Sequence, residues 1–436
     1  MSNSEKTVIL LIVDAIILYI ALALSLLPIE QNAHYGVHFQ GFSYLLGIWI
    51  LMYFTEGLYT LRTHNPAELP ISLIRATSVA AVVSIGVMYF LPEVYQEVLP
   101  GTRLLVIALL VPYMMFEWRH FFFSFLSSGS RLRNTLLIGS KETLDIANEE
   151  IKKKPYLGYK ILASVTPTEA EQLEIPKDIH LVAIERNTIS DQQLYKKVFS
   201  LLGSGVEVVD LAYFTEKISG KIPLASIDQA WFIEYCGQQD SISHDLLKAF
   251  IDRSIALILL ILLVPVAVIL FPILLIVHGR PIFFTQNRVG LNNKNFTLYK
   301  LRSMVVDAEK DGAQWAKPKD ARITPLGHIL RKTRLDELPQ LINIFRGEMS
   351  LVGPRPERPE IIEKSLAPNI PFFGLRHLVK PGVTGWAQVT FRYGFSQEDS
   401  KEKLQFDLYY VKNRSVWLDM LVIIKTIKTV ITGAGQ

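Results

Sequence analysis

The chain has 436 residues, half of them hydrophobic, with a mean hydropathy of +0.27 and a formal charge of +4. That length exceeds one ordinary domain, and that apolarity excludes a disordered chain or an ordinary soluble protein and points to membrane embedding. The charge is uneven, because residues 245–436 hold 27 Lys and Arg against 17 Asp and Glu, a balance of +10 that leaves −6 for the rest.

Four apolar runs come first, near 8–28, 41–61, 71–92 and 104–126, each close to the roughly 20 residues that cross a hydrocarbon core as a helix. A cleavable signal peptide competes for the first run, but only Lys6 lies nearby, no small-residue cleavage site follows, and further spans lie behind it. The stretch 29–40 has neither Lys nor Arg and 93–102 carries Glu93 and Glu97 but no base, whereas the other connections carry Arg62 and Arg75, then Arg119, Arg131 and Arg133. The bias predicts a bundle over 1–130 with both ends cytoplasmic. The single cysteine, Cys236, excludes an intramolecular disulfide.

Over 131–236 the pattern changes to short β-rich runs between polar helical stretches: strands at 135–139, 160–165, 180–184 and 206–209, helices at 142–154 and 190–202. This alternation predicts a Rossmann-like α/β domain with a mainly parallel sheet. The turn after its first strand reads Gly139-Ser140-Lys141-Glu142, without the second and third glycines of the dinucleotide fingerprint, and Glu142 adds negative charge there. A structural or regulatory module with no dinucleotide is the expectation.

Beyond a linker at 236–244, the apolar core Ile255–Val277 is long enough for a fifth crossing, but Pro265 lies near its middle and Pro272 follows. Lys248 and Arg253 precede it and Arg280 and Arg288 follow it, so neither end suits the outer side. A helix that breaks at Pro265 and returns to its own side satisfies both observations, and a kinked crossing is the alternative. Near the end, 417–428 alternates apolar and basic positions at helical spacing, as an interfacial helix or an ordinary core-facing one does.

The C-terminal part is built to meet anions, whether phosphorylated substrates or lipid headgroups; nucleic acid is set aside for want of a motif. Its densest reactive stretch is Leu330-Arg331-Lys332-Thr333-Arg334-Leu335-Asp336-Glu337-Leu338-Pro339-Gln340. Bases hold phosphate oxygens, and a carboxylate can bind Mg²⁺ or attack phosphorus. Alternatively, Asp336 is only a helix cap, with Glu337 and Pro339 in the first turn. Pro354-Arg355-Pro356 pre-sets a guanidinium between two fixed backbones, and the turn from Lys380 to Val389 brings a lysine, glycines and an aromatic together.

These stretches, with 284–290 and Tyr299-Lys300-Leu301-Arg302-Ser303-Met304, occur in an order that closely resembles the bacterial sugar transferase family, the monotopic polyprenyl phosphate phosphoglycosyl transferases. The resemblance spans about 246–436, and the added bundle and α/β domain resemble the long-form members that start exopolysaccharide or O-antigen synthesis. It implies a mainly helical catalytic domain over 245–436 with a re-entrant membrane hairpin at 251–278 broken at Pro265, where Val264 stands in place of the family's frequent serine. It implies an enzyme of the bacterial inner membrane, with a cytoplasmic catalytic domain, that moves hexose-1-phosphate from a UDP-sugar to undecaprenyl phosphate and releases UMP. Asp336 is then the nucleophile and forms a sugar-phosphoryl intermediate, Glu337 supports it or Mg²⁺, and Lys300, Arg331 and Arg355 bind phosphate and nucleotide. Arg302, Arg334, Pro354, Pro356 and Lys380 complete the expected binding set, and a homodimer among membrane lipids is the expected assembly. A redox or sugar-modifying enzyme centred on 134–233, and an inert scaffold, are the competing classes.

Overall fold

The computed structural model describes residues 3–26, 35–59, 69–90, 101–126, 132–174, 176, 178–186, 192–228, 231–232, 242–306, 308, 320–391 and 396–431. Cys236 and the linker up to 241, Arg62, Arg131 and most of the two base-free connections lie outside these residues. The chain divides into two compact units, Met1–Gly220 and Lys221–Gln436.

The first unit opens with four helices, α1 (Asn3–Leu26), α2 (Tyr35–Thr55), α3 (Leu69–Phe90) and α4 (Gly101–Leu126). Three carry stretches long and apolar enough to cross a bilayer, Glu5–Ser25, Leu69–Val87 and Leu105–Leu126. In α2 the apolar stretch among the described residues is the shorter Leu45–Thr55. Packed side chains such as Leu18, Leu22, Leu45 and Trp49 bury the helix seams, and polar pairs add direction. Trp49 Nε1 donates to Ser84 Oγ at 3.0 Å, and the Tyr53 and Thr77 hydroxyls lie 3.0 Å apart. Arg119 donates from both terminal nitrogens to Asp14, at 2.9 and 2.7 Å, with both side chains fully buried. Such charges persist away from water only when paired. Arg119, expected as a connection charge, is therefore an interior residue of α4, and Arg75 likewise lies within α3.

A four-stranded sheet follows: β1 (Arg133–Ile138), β2 (Tyr159–Val165), β3 (Leu181–Ile184) and β4 (Glu207–Asp210), in the order β2-β1-β3-β4, with every pair parallel. Helices α5 (Lys141–Lys153), α6 (Pro167–Gln172), α7 (Gln192–Leu201) and α8 (Leu211–Ser219) alternate with the strands. The turn at Gly139 leads straight into α5. There the Glu185 carboxylate accepts from Ser140 N at 2.5 Å and lies 3.3 Å from the Ser140 and Thr143 hydroxyls. A donor that a dinucleotide fold turns toward a pyrophosphate is here turned to the chain's own carboxylate. Lys6 Nζ donates to Leu157 O at 3.1 Å and ties α1 to this part.

The second unit begins with α9 (Ile242–Leu262) and α10 (Val264–His278), which meet at Leu263 with a bend of 61°. Pro265 has no N–H to donate to the Ile261 carbonyl, which is the physical cause of the break. The ladder resumes when Ala267 N donates to Leu263 O at 2.8 Å. Both arms dock on the same body. Ala256, Leu260 and Leu263 pack with Leu298, Leu341 and Ile344, while Leu270, Phe271 and Leu274 pack with Leu301, Leu326 and Leu330. Ile258, Ile261, Val268, Ile269 and Ile276 are exposed. Exposed apolar side chains of that kind on both arms suit lipid.

After the pair come an antiparallel hairpin, β5 (Phe283–Val289) with β6 (Asn295–Leu301), then α11 (Pro325–Lys332), α12 (Gln340–Arg346), a parallel pair of β7 (Ser350–Val352) and β8 (Gly382–Thr384), and finally α13 (Gln397–Asn413) and α14 (Val416–Ile431). α14 combines both readings of its pattern. Leu418, Leu421 and Val422 are buried, whereas Trp417, Met420 and Ile427 are exposed.

Candidate active site

Local backbone chemistry delivers Asp336 and Glu337 to one point. Thr324 caps α11 by accepting from Gly327 N at 2.9 Å, and Pro325 starts the helix without needing a donor. Gly327 is required by close approach, since a Cβ there would stand 2.0 Å from Ser303 O. The helix therefore lies against the chain leaving β6, and Arg331 Nε reaches Ser303 Oγ at 2.9 Å. Arg334 then adopts a left-handed φ of 59°, which turns the chain into a single 3-10 turn, Leu335–Glu337. Asp336 is thus not the cap of α12; Pro339 holds that position.

The two neighbouring carboxylates have opposite environments. Glu337 Oε1 accepts from Lys300 Nζ at 3.0 Å and from Arg355 Nη2 at 3.3 Å, and Oε2 lies 3.5 Å from Arg334 Nη1. Burial alone raises such a carboxyl, but Lys300, Arg355 and Arg334 together outweigh it and hold Glu337 well below the usual carboxylate range. Asp336 is also buried, at 6% exposure, yet its Oδ1 has no hydrogen-bond partner among the described residues. Burial pushes its carboxyl above the ordinary value and Glu337 adds to that, while Lys300, Arg331 and Arg334 only partly offset it. Glu337 is a fixed anion that gathers cations. Asp336 is an under-solvated carboxylate among them.

Other elements supply those cations. Lys300 comes from the end of β6, which buried Asn343 of α12 grips by accepting from Tyr299 N at 3.2 Å and donating to Thr297 O at 2.7 Å. Arg355 comes from the segment after β7, where successive carbonyls are all caught by donors. Pro354 O accepts from Gly382 N at 3.0 Å, Arg355 O from Arg376 Nη2 at 2.8 Å, Pro356 O from Arg288 Nη1 at 2.8 Å, and Glu357 O from Val289 N at 3.0 Å. Arg376 is anchored in turn by Asp407 at 2.7 Å, a buried carboxyl that burial raises to about 6 despite its partner.

Of the expected residues, the fold brings Asp336, Glu337, Lys300, Arg331, Arg334 and Arg355 together, with Pro354 and Pro356 holding the segment of Arg355. Two residues go elsewhere. Arg302 donates to the carbonyls of His278, the last residue of α10, and of Gly279 just after it, and so braces the helix pair. Lys380 lies beside Arg253 at the Gly347 turn, where a built Cβ would stand 3.6 Å from Nζ and 2.7 Å from Arg253 Nη2. Asn343, Arg376 and Asp407 were not singled out by the sequence, because each acts through a partner from another element.

The pair also bears on a metal. Among the described residues, no group of three or more His, Cys, Asp or Glu side chains could hold an ion unaided. Asp336 with Glu337 nevertheless offers hard oxygen donors, one of them unpartnered, which fits Mg²⁺ that takes its other ligands from water and a diphosphate.

The apolar helices mark a membrane protein, and the carboxylate pair stands among cations. The chain belongs to the bacterial sugar transferase family, whose model matches residues 243–433. It is 39% identical over 199 residues to the uncharacterized sugar transferase EpsL of Bacillus subtilis, covering 44% of this chain and 90% of that protein. It is 37% identical over 237 residues to the UDP-N-acetylgalactosamine-undecaprenyl-phosphate N-acetylgalactosaminephosphotransferase of Aeromonas hydrophila, covering 53% of each. It is 38% identical over 184 residues to the UDP-glucose:undecaprenyl-phosphate glucose-1-phosphate transferase of Escherichia coli, covering 42% of this chain and 39% of that one. The matching part thus spans about half or less of the latter two relatives.

Proposed function

We propose that the protein transfers hexose-1-phosphate from a UDP-sugar to undecaprenyl phosphate, releasing UMP. The observation that carries this reading is the contrast within the dyad: Glu337 Oε1 is paired with Lys300 and Arg355, whereas Asp336 keeps a buried oxygen without a partner among the described residues. Asp336 attacks the β-phosphorus, the bond from that phosphorus to the bridging oxygen breaks, and UMP departs with the electron pair. An oxygen of undecaprenyl phosphate then attacks the same phosphorus and restores the free carboxylate. Lys300, Arg331, Arg334 and Arg355 offset the repulsion between carboxylate and diphosphate and hold the phosphoryl oxygens as charge shifts. Mg²⁺ held by Asp336 and Glu337 would supply further stabilisation of the departing UMP. The names of the relatives support both substrates.

The test uses purified full-length protein with Mg²⁺ and radiolabelled UDP-sugars. UMP release is expected with undecaprenyl phosphate present. In its absence, label is expected to stay on the denatured protein, in the peptide containing Asp336. Retained label in no peptide, with UMP release only when both substrates are bound, would replace the two-step course by direct displacement.

The same reading places α1–α4 across the inner membrane, with α2 as the fourth span, the catalytic unit on the cytoplasmic side, and α9–α10 as a re-entrant hairpin. Its support is the bend, the docking of both arms on one body and the basic residues at both ends. Cysteines introduced near Lys248 and Arg280, in a Cys236→Ser background, are both expected to resist a membrane-impermeant thiol reagent added outside intact cells. Labelling of one and not the other would mean a kinked crossing. A homodimer, which the resemblance to long-form members implies, completes the proposal.

A further inference from the structure

Beyond Arg355 lies a cavity, open to solvent, that the dyad does not use. We propose that this cavity takes the pyrimidine base of the sugar nucleotide, with the amide of Gln388 reading its edge; the inference rests on the transfer reading above. Arg355 belongs to both places, since its guanidinium bonds Glu337 Oε1 while the residue lines the cavity. A nucleotide whose diphosphate lies at the dyad has its nucleoside end to place nearby.

The lining selects among the parts of the substrate. Phe373, Phe391, Leu366 and Leu404 give an aromatic and aliphatic wall, which suits the flat face of a base. A hexose would set hydroxyls against that wall, which its apolar side chains cannot serve. An isoprenoid tail would have no use for a buried amide or for the Arg376–Asp407 ion pair that forms part of the same lining.

Gln388 supplies the polar reader. Its Nε2 donates to Val383 O at 3.3 Å, which orients the amide and leaves Oε1 as an acceptor. Oε1 is buried with no donor among the described residues. Room for it comes from Gly385, where a Cβ would stand 3.2 Å from Oε1. The uracil N3–H is a donor of the kind this oxygen lacks. The glycine-rich stretch after Lys380 thereby acquires a use that its lysine does not provide.

The experiment compares product inhibition of the full-length enzyme by UMP, by 3-methyl-UMP, in which a methyl group replaces the N3 hydrogen, and by inorganic pyrophosphate. On the wild type, UMP is expected to inhibit at least about tenfold better than 3-methyl-UMP, the scale of one buried hydrogen bond. Gln388→Leu should bring the two within about twofold of each other while pyrophosphate inhibition stays within about twofold of wild type. Gln388→Met gives the same comparison should the leucine variant fail to fold, and the wild-type comparison needs no variant. Equal inhibition of the wild type by the two nucleotides overturns the inference, as does an unchanged ratio in both variants. If the wild type releases UMP from no UDP-sugar, the transfer reading itself falls; if it does release UMP and the ratios fail, only the base assignment falls.

Discussion

Asp336→Asn is expected to lower turnover by at least about 10³-fold, the scale on which loss of an attacking group is felt, and to abolish the labelled adduct. The same substitution should leave the fold as stable as before or more stable. The sign follows from linkage. The folded-state pKa of Asp336 is raised, so the native state holds the proton more tightly than the unfolded chain does, and stability falls as pH rises from the ordinary aspartate value toward the raised one. At neutral pH the neutral amide removes that loss, worth about 1 kcal/mol for a buried polar group without a partner. Were Asp336 only a helix cap, asparagine would serve as well as aspartate, and Asp336→Ala would leave chemistry intact while costing about 1 kcal/mol of stability. Thermal denaturation in detergent beside a UMP-release assay separates the two, and a less stable but active variant would remove Asp336 from the mechanism.

Lys300→Met is expected to reduce kcat/KM by about 10²-fold or more, because it removes a cation aimed at developing charge. Its diagnostic effect is on the pH profile. Ionised Asp336 is the attacking form, so activity should fall on the acid side, along a limb above the ordinary aspartate range. Lys300 is the strongest of the charges lowering that pKa. Without it the carboxyl holds its proton to higher pH, and the acid limb of kcat/KM moves in the alkaline direction. Glu337 loses a partner too, but Arg355 and Arg334 remain beside it. A limb that stayed in place, or moved toward acid, would show that another group sets it.

How much of this could be read from the sequence depended on where the partners come from. Apolar runs and the strand–helix alternation are local patterns, and most of the expected elements stand within a few residues of their predicted places. Asp336, Glu337, Arg331 and Arg334 share one short stretch, so their association was legible as well. Arg302 misled because a position two after Lys300 would point the same way on a continuing strand, but β6 ends at Leu301 and the pleat ends with it. Lys380 misled because the parallel pairing of β7 with β8 carries the residue before Pro381 toward Arg253 rather than toward the dyad. Arg376 and Asp407 left no signal, since their bond joins a turn to α13 and reaches the dyad through the Arg355 carbonyl. Arg119 was read by the company it keeps in the sequence, whereas its partner lies 105 residues earlier.

That last separation sets an order of assembly. Asp14 is synthesised with the first helix and Arg119 with the fourth, so for the time it takes to make the chain between them the carboxylate has no guanidinium to meet. A lone charge at the centre of an inserted helix costs on the order of 3 kcal/mol on insertion scales. The first helix is therefore a poorer span in a nascent chain than in the finished protein, and arrival of α4 is what fixes it. Closure then joins the first helix of the bundle to its fourth.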